Sequence, residues 1–301
     1  MAKVSVIIPT YNTGSFIRET LDSVVALAGV TTEVIVIDDG SVDSTPDIAE
    51  TYPGVIVHRQ KNAGDSAARK KGLELATGEF VIFLDHDDVL HPEAAVLHLA
   101  ELVADPELDM VFGSNLLIDS DGKQIGENMQ PRRKFSGADV VMHTTPSFSQ
   151  CMYRRSSLDR IGGFRAEAKA SADIDLNLRL LGWRQAGLCH GKVVMSYRYH
   201  PGQQTRSPSK LFRQHMAVLT DILGPRGGLP NEPLLRTAHR YWGRYYGRYI
   251  PMEIVRAASR RDWPKLRLAT GAFAGALPFS AIGAAGFVFE KLSGAKKASV
   301  K

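Results

Sequence analysis

Cysteine is scarce in this chain: Cys151 and Cys189 are the only two among 301 residues. That excludes a disulfide framework and fits a reducing compartment, so a cytoplasmic location is expected. No long apolar run opens the chain. Val4-Ser5-Val6-Ile7-Ile8 leads straight into Pro9, which reads as a first strand and not as a signal peptide. Neither G-x-G-x-x-G nor a Walker A sequence occurs, which weighs against dinucleotide-dependent enzymes and P-loop NTPases. Internal repeats and low-complexity tracts are also missing. With 44% hydrophobic residues, what remains can bury one large core or two modest ones.

Charge is abundant but unevenly placed. Residues 1–197 carry 19 Lys and Arg against 27 Asp and Glu, a net −8, whereas residues 198–301 carry 18 against 5, a net +13. Such a split implies two regions with different partners, and the basic one suits an anionic membrane surface. Leu268–Phe289 is a run of 22 residues without a charge. A membrane span needs about 20 apolar residues, but this run is rich in Ala and Gly and is broken by Pro278. An interfacial or soluble helical appendage is the expected reading, ahead of a true span.

Strand-like runs recur at Val4–Ile8, Glu33–Ile37, Val55–His58, Phe80–Leu84 and Met110–Phe112. Between them, Ile17, Leu21, Val24 and Ala28 share one helical face, and Thr45-Pro46-Asp47 reads as a helix start with Thr45 as the capping hydroxyl. Alternation of this length predicts an α/β fold, a mostly parallel sheet with helices on both faces. Residues 116–130 read as loop-like with a hairpin turn at Asp121-Gly122, Ser149–Tyr153 as a further strand, residues 211–223 as helix, 224–233 as a Pro/Gly linker, and 234–277 as mostly helical with a turn at Arg261–Pro264.

The most informative stretch is Phe80-Val81-Ile82-Phe83-Leu84-Asp85-His86-Asp87-Asp88. Five apolar residues predict a buried strand, and Asp85, Asp87 and Asp88 follow at its C-terminal end, where open α/β sheets bind ligands. Clustered carboxylates repel, and a hard divalent cation offsets that charge while leaving positions for substrate phosphates. An acidic turn capping the next helix at His91-Pro92-Glu93 is the plainer alternative. Pro9-Thr10-Tyr11-Asn12 and Asp38–Thr45 also follow strands and should flank the same crevice, where carboxylates can accept from a base or a ribose. Further on, Gly64 permits close backbone approach, and Arg69 falls about one turn into a helix, within reach of a phosphate or of the acids.

Ser5–Asn12, Asp38–Thr45, Asn62–Gly72 and Phe83–Asp88 resemble, in order and spacing, the successive motifs of family 2 glycosyltransferases, which are inverting, use nucleotide sugars and have the GT-A fold. The resemblance implies that Thr10 and Asp39 touch the nucleotide base and that Arg69 lies close to the nucleotide. Pro9, Tyr11, Gly64 and His86 belong to the same nucleotide-binding segments. Asp85 would face the ribose, and Asp87 would hold a divalent Mn2+ or Mg2+ ion on the diphosphate. Lys70, where the family often has Asn, and His86, in a slot that is usually small, are departures.

Ser171–Leu180 is similar to the family's Glu-Asp-x-x-Leu-x-x-Arg helix, so Asp173 is the implied general base, with Ala172 standing where Glu is usual. At neutral pH an ordinary aspartate, with a pKa of about 3.9, is ionised and fit for that role. Asp175 should point about 200° away around the helix and matter less. Tyr197–Thr205 resembles the basic segment that covers the donor diphosphate, and His200 is a candidate for completing the metal shell.

These readings define a catalytic domain over residues 1–205 and a basic helical region over residues 206–301. The implied activity is transfer from a nucleotide diphosphate sugar, UDP by resemblance, to a saccharide or lipid-linked saccharide acceptor, in the synthesis of cell-surface polysaccharide or glycoconjugate. No nucleic-acid partner is expected. Two rivals stand beside it: a nucleotide-sugar-binding protein without catalysis, and a sugar nucleotidyltransferase. The latter would ordinarily carry a Gly-rich basic loop near its start, unlike Pro9–Asn12.

Overall fold

The computed structural model describes residues 2–142, 145–165, 171–203 and 207–276. Two compact units divide the chain, Met1–Gly202 and Gln203–Lys301.

The first unit is built on a ten-stranded sheet. Its leading half comprises β1 (Lys3–Thr10), α1 (Ile17–Val25), β2 (Thr31–Asp38), α2 (Thr45–Glu50), β3 (Val55–Arg59), α3 (Asp65–Leu75) and β4 (Phe80–Phe83). These strands pair in parallel in the order β3-β2-β1-β4. Period-two alternation explains the layers. Val4, Val6 and Ile8 point to one face, into a core with Ile17, Leu21 and Val24 of α1 and Ala49 of α2. Ile7 points to the other, where α3 lies so close that a Cβ on Gly72 would sit 2.2 Å from the Ile7 Cγ2. All four residues of β4 are buried, each contributing about 1.5–3 kcal/mol of transfer free energy. Thr45 is the first residue of α2 and not its cap; Asp43 takes up the Thr45 N–H at 3.0 Å.

The second half adds β5 (Val89–Leu90), α4 (Ala94–Ala104), β6 (Met110–Ile118), β7 (Gln124–Asn128), β8 (Arg133–Phe135), α5 (Gly137–Met142), a 3-10 turn (Phe148–Gln150), β9 (Cys151–Arg154), α6 (Arg155–Arg160), α7 (Ala172–Leu181) and β10 (Gly187–Arg198). Strand β9 runs antiparallel between β4 and β6, and β10 pairs with β6 in parallel. The hairpin turn expected at Asp121-Gly122 is present, with Gly122 at φ +81, and the flanks read as loop are strand: β6 runs on to Ile118 and pairs with β7. Its outer strand is polar and largely exposed, so no apolar alternation marks it in the sequence.

The second unit is helical: α8 (Pro208–Leu223), α9 (Glu232–Gly247) and α10 (Ile250–Ser259), followed by helix over residues 263–276. The turn expected at Arg261–Pro264 falls between the end of α10 at Ser259 and the helix that opens at residue 263, and a second break lies between Gly247 and Ile250, with Pro251 in the first turn of α10. Trp242 is the anchor, almost fully buried and stacked on His215 at 4.5 Å between ring centres. Burial pushes His215 down to about 3, so it packs as a neutral ring. Buried Glu253 accepts from Ser207 Oγ at 2.7 Å and the Ser209 N–H at 2.9 Å, fastening the start of α8. Most of the uncharged run Leu268–Phe289 lies outside the described residues, and among the described residues no helix is long and apolar enough to cross a membrane.

Candidate active site

The C-terminal ends of β1, β2 and β4 open into one crevice because the three strands are parallel neighbours. The two loops after β1 and β2 are tied together. Asp39 N–H donates to the Thr10 carbonyl at 2.8 Å, and Asn12, in the left-handed region at φ 53, accepts from Val42 N–H at 2.9 Å. Thr10 is buried and its hydroxyl reaches the Ile37 carbonyl at 3.4 Å, whereas the neighbouring Tyr11 is exposed. Buried Asp39 accepts from Gln60 Nε2 at 2.8 Å, Ala63 N–H at 2.9 Å and Gly64 N–H at 2.7 Å. Gly64 has φ +91, a conformation that glycine adopts without strain, and it leads into α3. Asp39 therefore fixes the entry of the helix that carries Arg69.

Arg69 is buried, donates to Asp85 Oδ1 at 2.5 Å and lies 4.7 Å from the centre of the Phe148 ring. Its Nε has no partner among the described residues. Phe148 belongs to an aromatic cluster with Phe83 and Phe164 beneath the crevice. Burial raises the Asp85 carboxyl, Arg69 pulls it down and neighbouring Asp87 pushes it up again. His86 Nδ1 lies 3.2 Å from the Pro9 carbonyl, which joins the β4 loop to the β1 loop.

The three carboxylates divide their work. Asp88 is turned inward and fully buried: it accepts from Ser149 Oγ at 2.7 Å and from Arg198 N–H at 3.1 Å. Burial and the charges of Asp87 and Asp85 lift its pKa well above the usual carboxylate range. Ser149 also receives the Asp85 N–H at 3.0 Å, so one hydroxyl spans the loop. Asp87 faces His200, with Nε2 at 2.8 Å from Oδ2, while Gly202 N–H lies 3.3 Å from the opposite ring nitrogen. Among the described residues no group of three His, Cys, Asp or Glu converges to hold a metal alone. The chain offers two convergent donors, one oxygen and one nitrogen, in a locally acidic loop. That set fits an ion such as Mn2+ or Mg2+ that keeps waters and takes the rest of its shell from substrate phosphates.

Buried Arg198 sets this pairing. Its Nε donates to the Asp87 carbonyl at 2.9 Å, its Nη2 pairs with Glu19 Oε2 at 2.6 Å, and its guanidinium covers the Phe16 ring at 5.2 Å. The end of β10 is thereby pinned to the Asp87–Asp88 loop, two residues before His200.

Asp173 occupies the first turn of α7, where the helix dipole favours an acid, and accepts the Ile174 N–H at 2.9 Å. Burial pushes it up to about 6, against the pull of the Ile174 N–H and of Arg69 and with a further push from Asp85. The expectation of an ordinary carboxylate is corrected accordingly. Arg69 and Asp85 both act on the Asp173 charge, so the three lie within electrostatic reach of one another. Asp175 is a structural hub and not a bystander. It is buried and paired with Arg165 and with Arg179 at 2.7 Å, and Arg179 also donates to the Ile161 and Gly163 carbonyls at 3.0 and 2.7 Å. The i,i+4 spacing of Asp175 and Arg179 signals this pair in sequence; the roles of Ser149, Asp88 and Arg198 have no local signal.

Comparison with known proteins places the chain among glycosyltransferases. YibD, a glycosyltransferase of Escherichia coli (strain K12), is 45% identical over 94 residues, which is 30% of this chain but only 27% of that protein. A PGL/p-HBAD biosynthesis glycosyltransferase of Mycobacterium bovis (strain BCG / Pasteur 1173P2) is 29% identical over 264 residues, covering 85% of this chain and 97% of the relative. Among solved structures, S. aureus TarS 1-349 in complex with UDP-GlcNAc superposes with a TM-score of 0.63 at 21% identity, over 91% of this chain and 81% of that one, a likeness of the GT-A type of fold. The sequence profile of Glycosyl transferase family 2 matches residues 5–162, more than half of the chain and the whole run of strands that carries the crevice, and the protein belongs to that family.

Proposed function

We propose that this glycosyltransferase moves a sugar from a nucleoside diphosphate sugar to an acceptor hydroxyl in a single displacement that inverts the anomeric carbon, with Asp173 as general base. The observation that carries this reading is the position of Asp173. It sits at the mouth of α7, within electrostatic reach of the Arg69–Asp85 pair, and is raised to about 6, still ionised at neutral pH and a better proton acceptor than a free aspartate.

In this reading Thr10 and Asp39 receive the base, with Pro9, Tyr11, Gly64 and His86 forming the surrounding nucleotide-binding loops. Asp85, held by Arg69, faces the ribose. Asp87 and His200 would hold the divalent ion, which, when bound, offsets negative charge on the departing diphosphate. Asp173 takes the acceptor's hydroxyl proton as the oxygen attacks. Uridine is the proposed base, supported by the fold shared with a protein solved with UDP-GlcNAc. The acceptor is a saccharide or lipid-linked saccharide in cell-surface polysaccharide or glycoconjugate synthesis, reached at the cytoplasmic face of an anionic membrane. Release of nucleoside diphosphate only when acceptor is present tests transfer. Donor binding with no acceptor-dependent release would instead favour the binding-protein reading, for which Ala172, buried where the family has Glu, is the supporting departure.

A further inference from the structure

The outward face of α9 is a row of cations. Arg236, Arg240 and Arg244 recur every fourth residue, Arg248 follows at the C-cap, and all four are exposed. Four-residue spacing advances only about 40° around a helix. The four therefore line one side, while Ala238, Trp242 and Tyr246 bury the other. Like charges at this spacing destabilise a helix by about 0.2–0.5 kcal/mol per pair. Glu232 lies 3.4 Å from Arg236, but among the described residues Arg240, Arg244 and Arg248 have no acidic partner. The fold gains nothing from this row, which calls for an anionic surface outside it.

Beside the arginines runs a second row with the same spacing, Tyr241, Tyr245 and Tyr249, of which Tyr245 is 39% and Tyr249 44% exposed. Arginine stems lie along apolar surface with the head at phosphate level, and tyrosine rings settle at the same depth in a bilayer interface. On α10 the aliphatic Met252 and Val255 are exposed at 40% and 62%. A soluble polyanion has no use for exposed aliphatic side chains, whereas a lipid surface does. The second unit, with 17 Lys and Arg against 5 Asp and Glu, carries a net +12 that supplies the matching charge.

We propose that the arginine row of α9, flanked by its tyrosines, is the face by which the protein docks on an anionic phospholipid bilayer. The inference rests on the reading of the protein as a membrane-apposed transferase and gives that reading a place on the molecule.

The test is sedimentation of the full chain with phosphatidylglycerol-rich vesicles, compared with pure phosphatidylcholine vesicles. The wild type should bind the anionic vesicles at low salt and leave them at high salt. At about 1 kcal/mol per basic residue, the double variant Arg240→Ala/Arg244→Ala should bind ~30-fold more weakly. Arg240→Lys/Arg244→Lys should retain most of the binding. The double variant Arg226→Ala/Lys265→Ala removes the same charge from exposed positions of the same unit outside α9 and α10, and should bind nearly as well as wild type. Equal weakening by the two alanine pairs would show that net charge alone drives binding, overturning the assignment to α9 while sparing the membrane reading. Failure of the wild type to bind anionic vesicles would overturn both, as would capture of a soluble polyanion by the arginine row in place of vesicles. Matching circular dichroism melts of all four proteins keep the comparison one of binding.

Discussion

Arg69 Nη2 lies 2.5 Å from Asp85 Oδ1, joining the third helix of the sheet domain to the end of its central buried strand. The arginine is buried and the aspartate keeps some contact with solvent, so the pair both fixes the crevice floor and remains open to a ligand. Replacing Arg69 by Met keeps the bulk over Phe148 but strands the Asp85 carboxylate. The expected cost is toward the low end of the about 3–5 kcal/mol for breaking a buried pair, since Asp85 is not fully enclosed. Urea unfolding measures that loss. Loss of a charge-assisted bond worth about 1.5–3 kcal/mol should also weaken nucleoside diphosphate binding ~10–100-fold by calorimetry.

Asp175→Asn should act on stability and not on chemistry. It leaves two arginines, Arg165 and Arg179, facing a neutral amide in a buried place. A loss of about 3–5 kcal/mol is expected, seen as a lower urea midpoint. Turnover per folded molecule should stay close to wild type. An unchanged midpoint would show that the double ion pair contributes nothing.

The core strands of the first unit were legible because β1, β2 and β4 are buried runs, and buried runs show as unbroken apolar sequence. The β7 hairpin strand was not, since its polar, mostly exposed residues carry no period-two signal. Of the site, Asp85, Asp87 and Asp173 stand in recognisable local patterns. Their settings do not. The Ser149 bond to Asp88 joins residues 61 positions apart, and the Arg198 N–H bond to the same carboxylate spans 110. Only the fold brings them together, and only the fold shows that Asp88 is an internal brace while Asp87 turns to His200. The raised pKa of Asp173 was hidden for the same reason, because burial is a tertiary property.

Asp87→Asn should weaken divalent-ion-dependent binding of a nucleoside diphosphate without unfolding the protein. His200→Ala should do the same to a lesser degree, since one convergent donor remains. Changes beyond the direct ligands of a metal cost about 10–100-fold in affinity, and loss of a direct ligand should cost at least ~10-fold. Calorimetry with and without Mn2+ checks this. Equal ion dependence in wild type and Asp87→Asn would remove Asp87 from the ligand set.

The pH profile should show the shifted base. Asp173 works ionised, so kcat/KM should rise through pH about 6 and level off above it, whereas an unshifted aspartate would place that limb near 3.8. Stability runs the other way. An acid whose pKa is raised on folding binds its proton more tightly in the folded state. Its contribution therefore favours folding at low pH and is lost as pH rises from 3.8 through about 6. In Asp173→Asn that contribution should vanish from the pH dependence of the melting temperature.

The most direct test of the central claim is acceptor-dependent release of nucleoside diphosphate by Asp173→Asn, with donor affinity measured on the same preparation. The amide keeps the shape of the side chain and removes the proton acceptor. General-base assistance is worth about 10²–10⁴-fold, so turnover should fall by that order while the donor binds as in wild type. Turnover near the wild-type rate with donor bound normally would contradict the assignment of Asp173 as the base.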